Sequence, residues 1–183
     1  MLLQRVQKQR PGVQPDWRYF SLTQVNDKRE GWTAWEAPDE EPVKGRLAFK
    51  AAEAARRQGG FDLLHFRLLE ARHGQKRDLD DRSVVLEIAG SAGLDVERFE
   101  RDLADPSLLL TLARDHTLAV ADHGVFGTPT FVFAGGGSAY VRVRPAPDGA
   151  EALRLFDELV AVIASEPSLL EIKRPASPRP NLA

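Results

Sequence analysis

The residues best suited to chemistry in this sequence lie in one loop, Gly124–Phe133, where a Gly-Thr-Pro-Thr string runs into an apolar segment. A peptide bond before proline adopts the cis form at a cost of only about 0.5–1 kcal/mol, and a cis turn leaves the preceding backbone groups exposed. Such groups can pair with an extended polypeptide. The Thr128–Pro129 step is therefore either a backbone-pairing site or an ordinary trans turn that leads into an edge strand.

The cysteine and histidine content of the sequence argues against thiol chemistry and against a metal site. The 183 residues include no cysteine, which excludes disulfides, thiolate metal ligands and thiol nucleophiles within this sequence. The four histidines fall on two predicted helices, with His65 and His73 on one and His116 and His123 on the other. Without cysteine or patterned acidic neighbours, we expect solvent-facing or polar-capped histidines. We predict no catalytic residue, no metal site and no cofactor.

Composition narrows the class of protein. A chain of 183 residues that is 43% hydrophobic and 28% charged suits one globular domain with a sizeable core. The formal net charge of -2 provides no basic field, so nucleic acid and anionic membranes are disfavoured as partners. No apolar run approaches the roughly 20 residues that span a bilayer, and the N-terminus has no signal-peptide core. We therefore expect a cytoplasmic protein.

A helical block must position the loop. Apolar residues recur at helical spacing between Gly45 and Gly124, and glycines divide them into about five helices. Asp80 or Asp81 is expected to cap the third of these helices and Asp95 the fourth. The fifth is expected to start with Asp105 as N-cap and Pro106 as its first residue, and to end at Gly124.

The remaining segments surround this block. A short helix is predicted before Pro11-Gly12, a strand over residues 16–22 and an exposed loop over residues 26–45. Two strands, 130–133 and 139–143, are separated by a glycine-rich stretch that indicates a hairpin turn rather than a phosphate cradle. Asp148 then caps a C-terminal helix.

This order of elements resembles the DsbA-like thioredoxin-fold family, which includes the 2-hydroxychromene-2-carboxylate isomerases, over roughly residues 2–171. The resemblance implies an α/β fold in which a helical domain is inserted into a thioredoxin-like core. It divides the chain into an incomplete core of residues 1–45 and 124–172, a helical insertion of residues 46–123 and a flexible tail of residues 173–183.

The resemblance also implies a binding site. In the family, the residue before a cis-proline, here Thr128, offers its backbone to an extended peptide or a glutathione-like ligand, and Gly127 and Pro129 belong to the same loop. Trp32 and Trp35 are expected either to line the groove over this site or to pack against the helical block.

One departure from the family concerns its chemistry. The family begins with a central strand and a Cys-x-x-Cys motif at a helix N-terminus, and neither precedes the first helix here. We therefore expect an N-terminally truncated member of a thiol-disulfide oxidoreductase lineage that cannot itself exchange disulfides. The alternatives are a non-catalytic peptide-binding module and the remnant of a glutathione-dependent isomerase. A homodimer that supplies a strand across chains is a further hypothesis.

Overall fold

Eight α-helices and one two-stranded sheet form the part of the chain that the computed structural model describes, residues 1–135, 137–143 and 146–172. A single π-helical turn, Glu70–Gly74, follows the fourth helix. The elements in chain order are α1 (Leu2–Gln9), α2 (Leu22–Asn26), α3 (Arg46–Arg56), α4 (Phe61–Leu69), α5 (Arg82–Ser91), α6 (Val96–Leu103), α7 (Leu108–His123), β1 (Thr130–Val132), β2 (Ser138–Tyr140) and α8 (Gly149–Ser165).

The described residues divide into two compact units. The larger is Trp17–Thr128, and the smaller combines Met1–Asp16 with the described residues from Pro129 onwards. The predicted division into a core of residues 1–45 and 124–172 and an insertion of residues 46–123 stays a prediction. The predicted flexible tail, residues 173–183, lies outside the described residues.

The larger unit is built around the alanine-rich helix α3. Ala51, Ala54 and Ala55 are fully buried, and their small side chains allow neighbouring helices to approach closely. Phe99 of α6 and Leu64 of α4 are the largest fully buried side chains of the core around them. The predicted helices of this block are confirmed.

The caps explain where these helices begin. Asp81 and Asp95 are the N-caps of α5 and α6, and their carboxylates accept backbone N–H groups as predicted. The prediction for α7 was wrong by two residues. Asp105 accepts the N–H of Ser107 in a separate turn, and Ser107 is the N-cap.

The predicted strand over residues 16–22 is not formed. The Tyr19 N–H donates to the Asp115 carboxylate at 3.2 Å, and the Ser21 N–H donates to Nδ1 of His116 at 3.2 Å. Side chains of α7 thus occupy donors that a neighbouring strand would have used. Ser21 then caps α2, because its hydroxyl oxygen accepts the N–H of Gln24. The sequence pattern did not predict this short helix.

The smaller unit packs α1 against α8. Val6 and Ala152 are fully buried at this contact, and Arg10 forms two hydrogen bonds to Asp157, at 2.6 and 2.9 Å. None of the described helices combines the length and apolar character required to cross a bilayer.

The predicted hairpin is confirmed in the same unit. β1 and β2 pair antiparallel, with Phe131 opposite Ala139. The predicted turn includes Gly136, which lies outside the described residues. Gly137 lies against the carbonyl of Ile163 in α8 so closely that a Cβ atom would overlap it.

Candidate functional site

The loop that follows α7 is anchored at its first half. Gly124 ends the helix in the left-handed region with φ at 58°, a conformation that favours glycine. The next N–H, of Val125, donates to the Ala119 carbonyl at 3.0 Å. Val125 and Gly127 are buried. The chain is therefore held in place just before the Thr-Pro step.

The second half of the loop is presented outward. Thr128 and Pro129 are exposed, and the Phe126 side chain is 69% exposed. Thr128 is the last residue of the larger unit, and Pro129 belongs to the smaller unit. The Pro129 carbonyl accepts the N–H of Val141 at 3.0 Å, which ties the proline to the residue that follows β2. The loop thus leads directly into the hairpin.

The hairpin register fixes which backbone groups of β1 face β2. Hydrogen bonds from Val141 to Pro129 and from Phe133 to Gly137 mark the bonded pairs at the two ends of the ladder. Because bonded and non-bonded pairs alternate in an antiparallel ladder, the peptide groups of Val132 point away from β2. The Val132 side chain is 44% exposed.

Trp32 lies in a charged surface cluster. The guanidinium of Arg29 sits 4.3 Å from the centre of its ring, and its indole N–H donates to Glu41 at 3.3 Å. Arg29 also pairs with Asp27 and Glu41, and these hydrogen bonds hold the pKa of both carboxyls below the usual range. The partly buried indole is therefore fixed on one side by a cation.

Trp35 has a different environment. It packs against a buried cluster that includes Tyr19 and Leu112, and its ring centre lies 5.5 Å from that of His116. Trp35 thus makes the packing contact with the helical block that was one of the two alternatives. Its role in lining a groove, like that of Trp32, stays a prediction.

A buried polar centre beside Trp35 was not predicted. Asp115 and His116 are consecutive on α7, and both are buried. Asp115 binds Arg18 at 3.4 Å and Arg114 at 2.9 Å, in addition to the Tyr19 N–H. The sequence did contain a signal for the burial of Asp115. Leu108, Leu112 and Asp115 stand at positions i, i+4 and i+7 of α7, so the carboxylate lies on the same face as the two buried leucines.

Tyr19 extends this centre towards α3. Its hydroxyl donates to Oε1 of Glu53 at 2.6 Å, and Arg56 binds the same oxygen at 2.9 Å. Burial is the main cause that raises the pKa of Tyr19, and the hydrogen bond to Glu53 adds to it. The tyrosine therefore serves as a neutral hydrogen-bond donor.

The histidines differ from the expectation at one position. His73 and His123 are exposed, and His116 is capped by the Ser21 N–H. His65, however, is neither solvent-facing nor capped, since it lies among aromatic rings and its Nε2 is buried without a hydrogen-bond partner. Across residues 1–135, 137–143 and 146–172, no three His, Asp or Glu side chains come together as a metal-binding group.

Comparison with known proteins identifies the fold family. A family model described as thioredoxin matches residues 5–139, well over half of the chain. The chain belongs to the thioredoxin family. As a thioredoxin-like domain it is α/β, mostly helical with a small two-stranded sheet among its described residues, and the expected fold class is confirmed. It is a thioredoxin-family sequence of 183 residues without cysteine.

Several curated proteins are similar to this thioredoxin-family chain. The ClpXP adapter protein SpxH of Bacillus subtilis is 35% identical over 102 residues, which cover 56% of this chain and 33% of that protein. SpxH of Shouchella clausii is 37% identical over 95 residues, which cover 52% and 31%. The Na(+)/H(+) antiporter NhaA of Herminiimonas arsenicoxydans is 38% identical over 92 residues, which cover 50% and 14%. The chain spans about a third of the length of the SpxH relatives.

Proposed function

We propose that this thioredoxin-family domain binds an extended polypeptide at the Gly127–Pro129 loop and performs no thiol-disulfide exchange with its own residues. The observation that carries the proposal is an exposed Thr128–Pro129 step, which is held by buried residues before it and leads directly into β1. The second half of the proposal follows from a sequence that contains no thiol.

Backbone pairing is the chemistry that such a loop offers. An extended peptide beside a strand gains main-chain hydrogen bonds, which tolerate many sequences, while exposed side chains set the preference. The peptide groups of Val132 point away from β2, so a peptide that lies along this edge of β1 can pair with them. A glutathione-like ligand presents the same chemistry on a smaller scale.

The relatives support a protein as the partner. Two of them are named ClpXP adapter proteins, and an adapter acts by binding other proteins. We propose that this chain likewise has a protein partner and that it derives from a DsbA-like thiol-disulfide oxidoreductase lineage. In this proposal Pro129 is cis, and Trp32 and Trp35 flank the bound segment.

Binding of two defined probes tests the site. We would titrate S-carboxymethylated insulin B chain and, separately, glutathione into the isotope-labelled chain and follow backbone amide signals. We expect the B chain to shift the signals of Thr128 and Val132. Pro129→Ala should weaken this binding about fivefold, which corresponds to about one lost backbone hydrogen bond. Pro11→Ala, at another exposed proline, should leave it unchanged.

The outcomes separate the two halves of the proposal. If the shifts fall elsewhere, or if Pro129→Ala binds as tightly as the unaltered chain, the loop is not the site. If glutathione shifts the signals of the loop and the B chain does not, the partner is a small ligand and not a protein. An insulin-reduction assay should give no turnover, and thiol-type turnover by the pure chain would contradict the non-catalytic assignment.

A further inference from the structure

Two histidines on different helices hold the same extended segment, Trp17–Ser21, which we name the strap. His65 of α4 contacts the first strap residue, with its ring centre 4.5 Å from that of Trp17. His116 of α7 binds the last one, because its Nδ1 accepts the Ser21 N–H at 3.2 Å, and its ring lies 4.6 Å from that of Phe20. Both ends of the strap thus depend on an imidazole.

The hydrogen bond to His116 requires a neutral ring. An imidazole nitrogen that accepts an N–H cannot carry a proton, so the proton of neutral His116 is on Nε2. Protonation would place a donor at Nδ1 against the donor of Ser21, and the bond would be lost. The ring is buried, which prevents water from replacing the lost partner without movement of the strap.

His65 is also suited only to the neutral form. Its ring centre lies 4.5 Å from Trp17, 5.3 Å from Phe61 and 5.6 Å from Phe66, and its buried Nε2 has no partner. A charged ring there would have a proton at Nε2 with no acceptor. Aromatic faces can attract a cation, but the guanidinium of Arg56 already lies 3.7 Å from the Phe61 ring centre.

The charges around His65 oppose one another. Burial is the main cause that lowers its pKa, to about 4. Asp62 on α4 raises this pKa and Arg56 on α3 lowers it, both more weakly than burial. Glu53 on α3 is already bound by Arg56 and by the Tyr19 hydroxyl.

The charges around His116 are largely paired. Asp115 beside it accepts the Tyr19 N–H and two arginines, Arg18 from the strap and Arg114 from α7. In the segment that carries Trp35, Glu36 is exposed and bound by the Thr33 hydroxyl. Burial lowers the pKa of His116.

We propose that the strap is an acid-sensitive latch, in which protonation of His65 and His116 releases Trp17–Ser21 from α4 and α7 while the α3–α6 core stays folded. A released histidine has its ordinary pKa, near 6.5, and the held histidine has a lower one. The ratio of closed to open strap is therefore highest above about pH 6.5, and each histidine lowers this ratio by up to tenfold per pH unit as the pH falls below that value.

Hydrogen exchange of the full chain tests the latch. We would compare backbone amide protection in the strap and in α6 from pH 7.5 to 4.5, after correction for the intrinsic pH dependence of exchange. Protection of the strap should fall at least about tenfold between pH 7 and pH 5, since His65 alone, with a pKa of about 4 when held and near 6.5 when released, contributes about twentyfold. Protection of α6 should stay constant. A strap that is equally protected throughout would overturn the proposal.

Paired variants assign the effect to the histidines. His65→Phe keeps an aromatic ring, and His116→Asn keeps an acceptor for Ser21, but neither titrates in this range. The double variant should lose the pH response, and a control with His73→Asn and His123→Asn should keep it. If the double variant responds like the unaltered chain, carboxylates and not histidines control the strap, and the proposal is wrong.

A second measurement does not depend on these variants. Nitrogen chemical shifts of the unaltered chain report which imidazole nitrogen carries the proton. At pH 7.5 the His116 ring should be the Nε2–H form, and both His65 and His116 should titrate below the ordinary pKa of histidine, near 6.5. A proton on Nδ1 of His116, or an ordinary titration of both rings, would contradict the latch even if the double variant failed to fold.

Discussion

The buried side chain of Asp115 accepts a backbone N–H that a neighbouring strand would otherwise bind. Its carboxylate is almost completely buried, while the side chains of its two arginine partners are more than half exposed. Exposed charges contribute little to an ion pair, so we attribute the main stabilisation to the buried hydrogen bond from Tyr19. Asp115 therefore acts mainly by satisfying the backbone of the strap.

Removal of this carboxylate should be costly. In Asp115→Ala the N–H of Tyr19 loses its acceptor in a buried place, and we expect the free energy of unfolding to fall by about 2–4 kcal/mol. Urea denaturation at pH 7.5 measures the change. Asp122→Ala, at an exposed position of the same helix, should change it by less than about 0.5 kcal/mol. Equal effects of the two substitutions would refute this role.

The sequence revealed the loop residues more readily than the buried centre. Gly124 and the Thr128–Pro129 step indicate a turn because glycine and proline have backbone preferences of their own, which do not depend on distant residues. Asp115 binds a backbone N–H that is 96 residues away in the chain. Its place on the apolar face of α7 was visible, but its partner was not, because nothing near Asp115 in the sequence indicates which segment crosses the helix.

Helices α5 and α6 could be predicted from residues close to them in the sequence, whereas the conformation of the strap could not. Helices α5 and α6 were predictable because Asp81 and Asp95 cap them within three residues. The strap has the alternating aromatic pattern of a strand, but a strand also needs a neighbouring backbone. In this chain α7 side chains supply the hydrogen-bonding partners, so the pattern was present without the ladder.

The C-cap of α7 gives a prediction about the loop. Gly124 has φ at 58°, and an added Cβ would meet no atom within 4 Å, so the cost of Gly124→Ala is confined to the backbone conformation. We expect a loss of about 1 kcal/mol in the free energy of unfolding. Gly12→Ala also meets no neighbour and needs no left-handed backbone, so it should cost nothing. Thermal unfolding of both variants measures the difference, and a stability unchanged by Gly124→Ala would contradict the cap assignment.

At the scale of the whole molecule, arginine pairs hold many surface carboxylates in their charged form. The groups whose pKa is lowered by an arginine or by a hydrogen bond at a turn or helix start are spread over both units: Asp27, Glu41, Asp81, Glu87, Asp105 and Asp157. A carboxylate with a lowered pKa stabilises the folded chain at pH values above its ordinary pKa. That stabilisation is lost as the pH falls towards the lowered value.

Asp105 provides the sharpest test of this acid limb. The hydrogen bond from Arg57, at 2.6 Å, is the main cause that lowers its pKa to about 2, and the Ser107 N–H adds to it. The unfolded chain takes up the proton near pH 4 and the folded chain only near pH 2, so stability should fall across that window. Urea midpoints measured from pH 5 to pH 2 should therefore decline less steeply in Asp105→Asn, which keeps an acceptor for Ser107 but has no charge. Because the pair is exposed, 1 M NaCl should reduce the difference between the two chains.

Asp122→Asn is the matched control for this experiment. If Asp122→Asn changes the acid limb as much as Asp105→Asn does, the pair of Asp105 with Arg57 has no special part in acid stability.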